Sequence, residues 1–157
     1  MTDPLQTEQA LRRAALGVLA RAAPDSLAAQ WQGYVARQGG EPAFVCLRGP
    51  EIGLTMVRGR MGGTGRPFNV GEATVTRCTL RTGCGRVGTA YVLGRQKRQA
   101  EIAALVDALL QDPDRRDDLH RAVVEPLAAI QAAARRRRTA EVAATKVEFF
   151  TLVRGED

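Results

Sequence analysis

Aromatic side chains are scarce, making up 4% of the 157 residues with Trp31 as the single tryptophan. A core must therefore rest on Leu, Val, Ile and many alanines, and alanine buries little apolar area per residue. Base-stacking material for nucleic acid is short as well, and no zinc-finger, RRM or KH signature appears. Histidine occurs once, at His120, and no second histidine or C-x-x-C pair supports a protein-only metal site. Cys46, Cys78 and Cys84 are odd in number and unpaired in spacing, which argues against a disulfide framework or an iron–sulfur cluster and fits a reducing cytoplasm. No apolar run approaches the ~18 residues of a membrane span, and no charged start with a long apolar stretch suggests a signal peptide. Spacing forces no Ser/His/Asp or Cys/His set.

Positive charge is what the chain has in excess. The net charge is +6 and the pI is about 10.0. Such a balance suits anionic partners: nucleotides, phosphorylated metabolites or an acidic protein surface, with nucleic acid the least favoured. At 45% hydrophobic and 25% charged, the composition is that of a globular chain, and its length suits one domain over residues 1–157. The alanine-rich core predicts that burial is completed against a partner.

Periodicity divides the chain into helices, then strands, then helices. In the first segment Leu11, Ala14, Ala15, Val18, Leu19 and Ala22 recur at helical spacing, and after Pro24 so do Leu27, Trp31 and Tyr34 or Val35. Four short Val/Thr-rich stretches follow: "AFVCLR", "IGLTMVRGR", "ATVTRCTL" and "RVGTAYVLG". "RTGCG" predicts a hairpin turn, and connections this short favour antiparallel neighbours. Ile102, Leu105, Val106, Leu109 and Leu110 then form one wide apolar stripe. Leu119, Val123 and Leu127 predict another helix, with Pro126 marking a break or a new start. The expected fold is α+β: N-terminal helices, a small, mostly antiparallel sheet of about four strands, C-terminal helices and an apolar tail, "FFTLVRGED".

The glycines concentrate in "MVRGRMGGTGRPFNVGEATVTR", Met56 to Arg77. No Gly-Lys-Ser/Thr follows them, so this is not a Walker A loop; a proline and a strand-like run follow, so it is not G-x-G-x-x-G opening a helix. The expectation is a glycine-rich turn between strands. Its arginines keep an anion site in view: Arg58 and Arg60 share a face if strand alternation holds, Arg77 is expected across from them, and Arg66 follows in the turn. Arg95 and Lys97 form a second candidate. They stand beside Arg98 at a helix start, where the macrodipole disfavours each cation by ~0.3–1 kcal/mol unless water or an anion compensates. A helix start close to the glycine loop would put both basic groups on one edge. Arg135 to Arg138 point nearly all the way round a helix and cannot address one backbone together. His120 is expected to be incidental, and Glu72 and Glu101 to pair with arginines.

"RMGGTGRPFNVGEATVTR", "GTAYVLGRQKRQAE", "LVDALLQ" and "TKVEFFTLVRGED", in this order, resemble the PhnG family, a subunit of the bacterial carbon–phosphorus lyase system. The resemblance covers Leu11 to Asp157. It implies a PhnG-like domain working in α-D-ribose 1-methylphosphonate 5-triphosphate synthase, where a phosphonate displaces adenine from ATP. It further implies a heteromeric core with two copies each of PhnG, PhnH, PhnI and PhnJ, and PhnL as a further candidate partner. Radical chemistry with an iron–sulfur cluster and S-adenosylmethionine belongs to PhnJ, nucleosidase chemistry to PhnI. No cofactor is expected on this chain, and ATP is the substrate of the complex; the alternative role is a scaffold that orders the nucleosidase subunit. The family's pattern after "LGR" resembles Asp-Lys-x-His-Ala-Glu, whereas this chain has Gln96, Lys97, Arg98, Gln99, Ala100 and Glu101. Glutamines in place of the aspartate and histidine suggest a segment that binds or docks and does not transfer protons, and catalytic residues on this chain stay unassigned.

Overall fold

The computed structural model describes residues 4–62 and 64–145; the expected apolar tail "FFTLVRGED" lies outside that range. Two helices, α1 (Pro4–Arg21) and α2 (Pro24–Arg37), lead into β1 (Phe44–Gly59), β2 (Phe68–Thr82) and β3 (Val87–Leu93). Then come α3 (Lys97–Leu109), α4 (Pro113–Leu119), a π-turn (His120–Val124) and α5 (Glu125–Ala144). The architecture is α+β, as the periodicities predict.

The sheet has three antiparallel strands in the order β1-β2-β3, not about four. "AFVCLR" and "IGLTMVRGR" belong to one 16-residue strand. Gly49 and Pro50 read as a break in sequence, but here they fall where the register slips, between Cys46, Arg48 and Glu51, and the ladder resumes beyond. The "RTGCG" turn is a hairpin, closed by Thr82 N–H donating to the Arg86 carbonyl at 2.9 Å.

α3 is the centre of the core. Its predicted stripe is buried, and so are Ala100, Ala103, Ala104 and Ala108 on its other faces, because sheet, α1 and α2 surround it. Alanine is what permits this: small side chains let α3 lie directly against β3. A Cβ on Gly88 would come within 1.9 Å of the Ala104 carbonyl oxygen. Across α3 stand Leu27, Trp31 and Tyr34 of α2, all buried as predicted, with the two aromatic rings stacked at 5.7 Å.

One expectation about a helix face needs correction. Ala15 and Leu19 of α1 and Ala22 just beyond it are buried, but Leu11 is 64% exposed and Ala14 is exposed too. On that turn Arg12 reaches α3 instead, held by Asp107. At Pro126 a new helix starts, as expected, and it follows the preceding turns without a gap. Five residues of π-helix precede it, Glu125 N–H reaches back to the His120 carbonyl, and α5 then starts with Pro126 in its first turn. The wider turn relieves the clash a proline ring makes with the carbonyl four residues earlier.

Among the described residues, only one face of the sheet is covered. Thr76, Cys78, Leu80 and Thr82 of β2 point toward α3 and are buried. Beyond Val75, which pairs with Leu93 at the end of β3, β1 and β2 continue together as a two-stranded ribbon that no third strand flanks among the described residues.

Candidate functional site

The glycine-rich segment is the tip of this ribbon, a turn between antiparallel strands as predicted. Gly62 has φ +63, in the left-handed region that suits glycine, and Gly65 N–H donates to the Met61 carbonyl at 3.2 Å. Arg58 lies opposite Asn69 at a register slip, and Arg60 and Arg66 follow in the turn, all three exposed. One Arg60 guanidinium nitrogen donates to the Gly65 carbonyl at 3.2 Å, which stiffens the turn from within. Among the described residues no salt bridge engages these three arginines.

Arg77 is not part of that group. Antiparallel register sets it opposite Glu51, far down the ribbon from Arg58, and its Nε donates to Glu51 Oε1 at 2.5 Å. That hydrogen bond and the accompanying charge raise the Arg77 pKa, so its positive charge is already matched.

Arg95 and Lys97 are exposed at the start of α3, whose first turn carries no acidic residue and whose preceding Gln96 makes no side-chain cap. Arg98, beside them, is claimed by Glu41 at 3.1 Å and by Glu101. Burial pulls the Arg98 pKa down, but its two carboxylates outweigh this and the net shift is upward. Glu101 pairs with arginine as predicted, whereas Glu72 stands across from Met56. The two basic groups do not share one spot. Gly94 bonds Thr74, and the six residues from there to Phe68 put the tip roughly 20 Å away along the ribbon.

A cleft of about 490 Å³ opens elsewhere, between α1, α4 and the π-turn, lined by Leu11, Arg12, Arg116, His120 and Arg121 among others. It contains none of the predicted site residues, and most of its basic groups already have partners. Arg12 binds Asp107, Arg116 stands 3.4 Å from Asp117, and His120 Nδ1 lies 3.2 Å from Glu125 Oε1. Asp107 is the residue that periodicity missed. It is fully buried, grips Arg12 through both oxygens at 2.7 Å, and accepts the Thr89 backbone N–H at 3.0 Å. The available signal is a carboxylate set in the apolar run "IAALVDALL". Among the described residues, no group of three His, Cys, Asp or Glu could hold a metal, and no helix is long and apolar enough to cross a membrane.

The phosphonate-metabolism protein PhnG family model matches residues 10–155. The chain belongs to the PhnG family. It is also similar to the alpha-D-ribose 1-methylphosphonate 5-triphosphate synthase subunit PhnG of Rhizobium meliloti (strain 1021). Identity is 46% over 148 residues, covering 94% of this chain and 92% of that relative.

Within this PhnG chain the departure at Gln99 takes on a structural meaning. Its side chain is buried and donates to the carbonyls of Leu19, at 3.2 Å, and Ala22, at 2.9 Å. Those are groups left without helical partners where α1 ends. Gln99 is thus turned away from the docking surface expected of the whole segment, whereas Arg95, Gln96, Lys97 and the paired Arg98 remain outward.

Proposed function

We propose that this chain is the PhnG subunit of an α-D-ribose 1-methylphosphonate 5-triphosphate synthase. In that reaction an oxygen of methylphosphonate bonds to C1 of the ATP ribose as the bond to adenine breaks. The observation that carries the reading is the 46% identity over nearly the whole length of both chains. The chain acts in the cytoplasm with PhnH, PhnI and PhnJ, two copies of each, and with PhnL as a further partner. It brings no cofactor of its own; ATP is the substrate of the complex.

The geometry supports a share in substrate handling that is electrostatic. Arg58, Arg60 and Arg66 stand together on an exposed tip, with guanidinium groups suited to phosphoryl and phosphonate oxygens. Fixed cations of this kind stabilise charge that develops on a transferring group. Among the described residues no hydrogen bond or salt bridge joins them to a carboxylate or histidine, and this reading assigns the acid or base to another subunit. Arg95 and Lys97, about 20 Å away, are too distant to address the same triphosphate.

The test replaces Arg60, Arg66 and Arg77 singly with alanine, checks assembly by gel filtration, and measures adenine release from ATP plus methylphosphonate. The expected result is intact assembly with turnover reduced about tenfold or more for Arg60→Ala and Arg66→Ala. Arg77→Ala keeps its turnover, because Glu51 already occupies that cation. Normal turnover for both tip variants overturns the positioning role, and loss of assembly points to the scaffold role.

A further inference from the structure

The face of the sheet that α3 covers does not stop where α3 stops. Ile52, Leu54 and Met56 pair with Thr76, Thr74 and Glu72, so the three apolar side chains stand on the face to which buried Thr76 belongs. They are 40%, 66% and 53% exposed, because α3 begins at Lys97 and runs the other way. The row from Ile52 to Met56 is about 14 Å long, the length of roughly nine residues of helix. It continues the hydrophobic core beyond what the described residues cover.

Charge at the ends of the row says what fits there. At the near end lie the positive end of the α3 dipole, Arg95 and Lys97; Arg98 is neutralised by Glu41 and Glu101. At the far end Glu72 stands beside Met56, with the exposed Arg58 two residues further along the same strand, so both ends of the row offer positive charge to carboxylates. We infer that Ile52, Leu54 and Met56 seat an amphipathic helix of a partner protein, its carboxylate-bearing C-terminal end abutting the start of α3. The incoming helix lies in line with α3, dipoles head to tail, and fills the layer α3 leaves vacant. A second copy of this chain is a poor occupant. Its exposed helix, α5, carries Arg135 to Arg138 and would bring like charge against Arg95 and Lys97. This inference rests on the reading of the chain as a subunit of a heteromeric assembly.

Lysine chemistry tests it directly, since the chain has two lysines, Lys97 and Lys146. The heteromeric assembly is prepared with this chain as Lys146→Arg and treated with a zero-length carbodiimide, and the joined peptides are mapped by mass spectrometry. The expected product links Lys97 to an aspartate or glutamate of a different chain, and Lys97→Arg abolishes it. Leu54→Asp, at an exposed position outside the core, lowers both the link and the partner recovered with this chain by about tenfold or more. Leu54→Ala shows the same direction with a smaller loss. Circular dichroism of each variant reports its fold. Links from Lys97 only within its own chain or to a second copy overturn the inference, as does full assembly with Leu54→Asp. An assembly that releases adenine yet shows no interchain Lys97 link overturns the docked helix alone. Failure of the unaltered chain to enter an active assembly overturns the subunit reading itself.

Discussion

Arg12 and Asp107 form a two-pronged ion pair across 95 positions of sequence, both contacts at 2.7 Å, and it ties α1 to α3. The carboxylate is fully buried while the arginine side chain is 43% exposed, so the two partners are unequal. Removing the arginine strands a buried charge. Removing the carboxylate leaves a cation that water can reach.

The first prediction follows from that inequality. Arg12→Ala is expected to lower stability by about 3 kcal/mol, near the lower end for a broken buried pair. Asp107→Asn, which keeps acceptor capacity for Thr89, is expected to cost about 1–2 kcal/mol. Urea denaturation of both variants measures the order, and equal losses would contradict it.

Gly88 offers a second test, of packing alone. A methyl group there meets the backbone of Ala104 and Ala108, which cannot give way as a flexible side chain can. Gly88→Ala is expected to cost about 3 kcal/mol or more by forcing α3 off the sheet. Gly53→Ala, with nothing within 4 Å of its new methyl, is the control and leaves the midpoint nearly unchanged.

For Gln99 the prediction separates structure from chemistry. Gln99→Leu strands two carbonyls at the end of α1 and is expected to cost about 1–3 kcal/mol. Adenine release per folded assembly should stay unchanged, since the side chain faces the core. A drop in turnover at full stability would return this position to the catalytic machinery.

The thiols give a pH dependence with a defined sign. Burial of Cys78 pushes its pKa from 9.0 up to about 11, so the folded state holds that proton more tightly than the unfolded chain does. The contribution to stability is complete below pH 9 and is lost between there and about pH 11. Melting temperature should therefore fall across that interval, and less steeply in Cys78→Ala. Exposed Cys84 moves the other way, drawn down by the Thr82 hydroxyl and by the Arg86 backbone. Alkylation should reach Cys84 well before Cys78.

Local pattern made much of this fold legible, and distance in sequence hid the remainder. The stripe on α3, the α2 face through Trp31 and the hairpin at "RTGCG" follow from nearest-neighbour chemistry and appear as expected. Gly49-Pro50 misleads because the same residues that end a strand also mark an irregularity within one. Arg77 was expected across from Arg58, but only the register decides such pairs, and it is fixed by the hairpins as wholes. The link from Asp107 to Arg12 is invisible to any periodicity. A lone aspartate among apolar residues signals a buried partner without naming it. The tip arginines were found because they cluster in sequence, and the distance to Arg95 and Lys97 emerged only once the ribbon was seen to outrun β3.

The π-turn before Pro126 also acts as a spacer. A π-turn takes one residue more than an α-turn over nearly the same rotation, so the extra residue is absorbed between His120 and Val124 and the helix beyond keeps its heading. Deleting one residue there would leave Leu127 in the core and Arg135 to Arg138 pointing much as they do, while restoring the proline clash that the wide turn relieves.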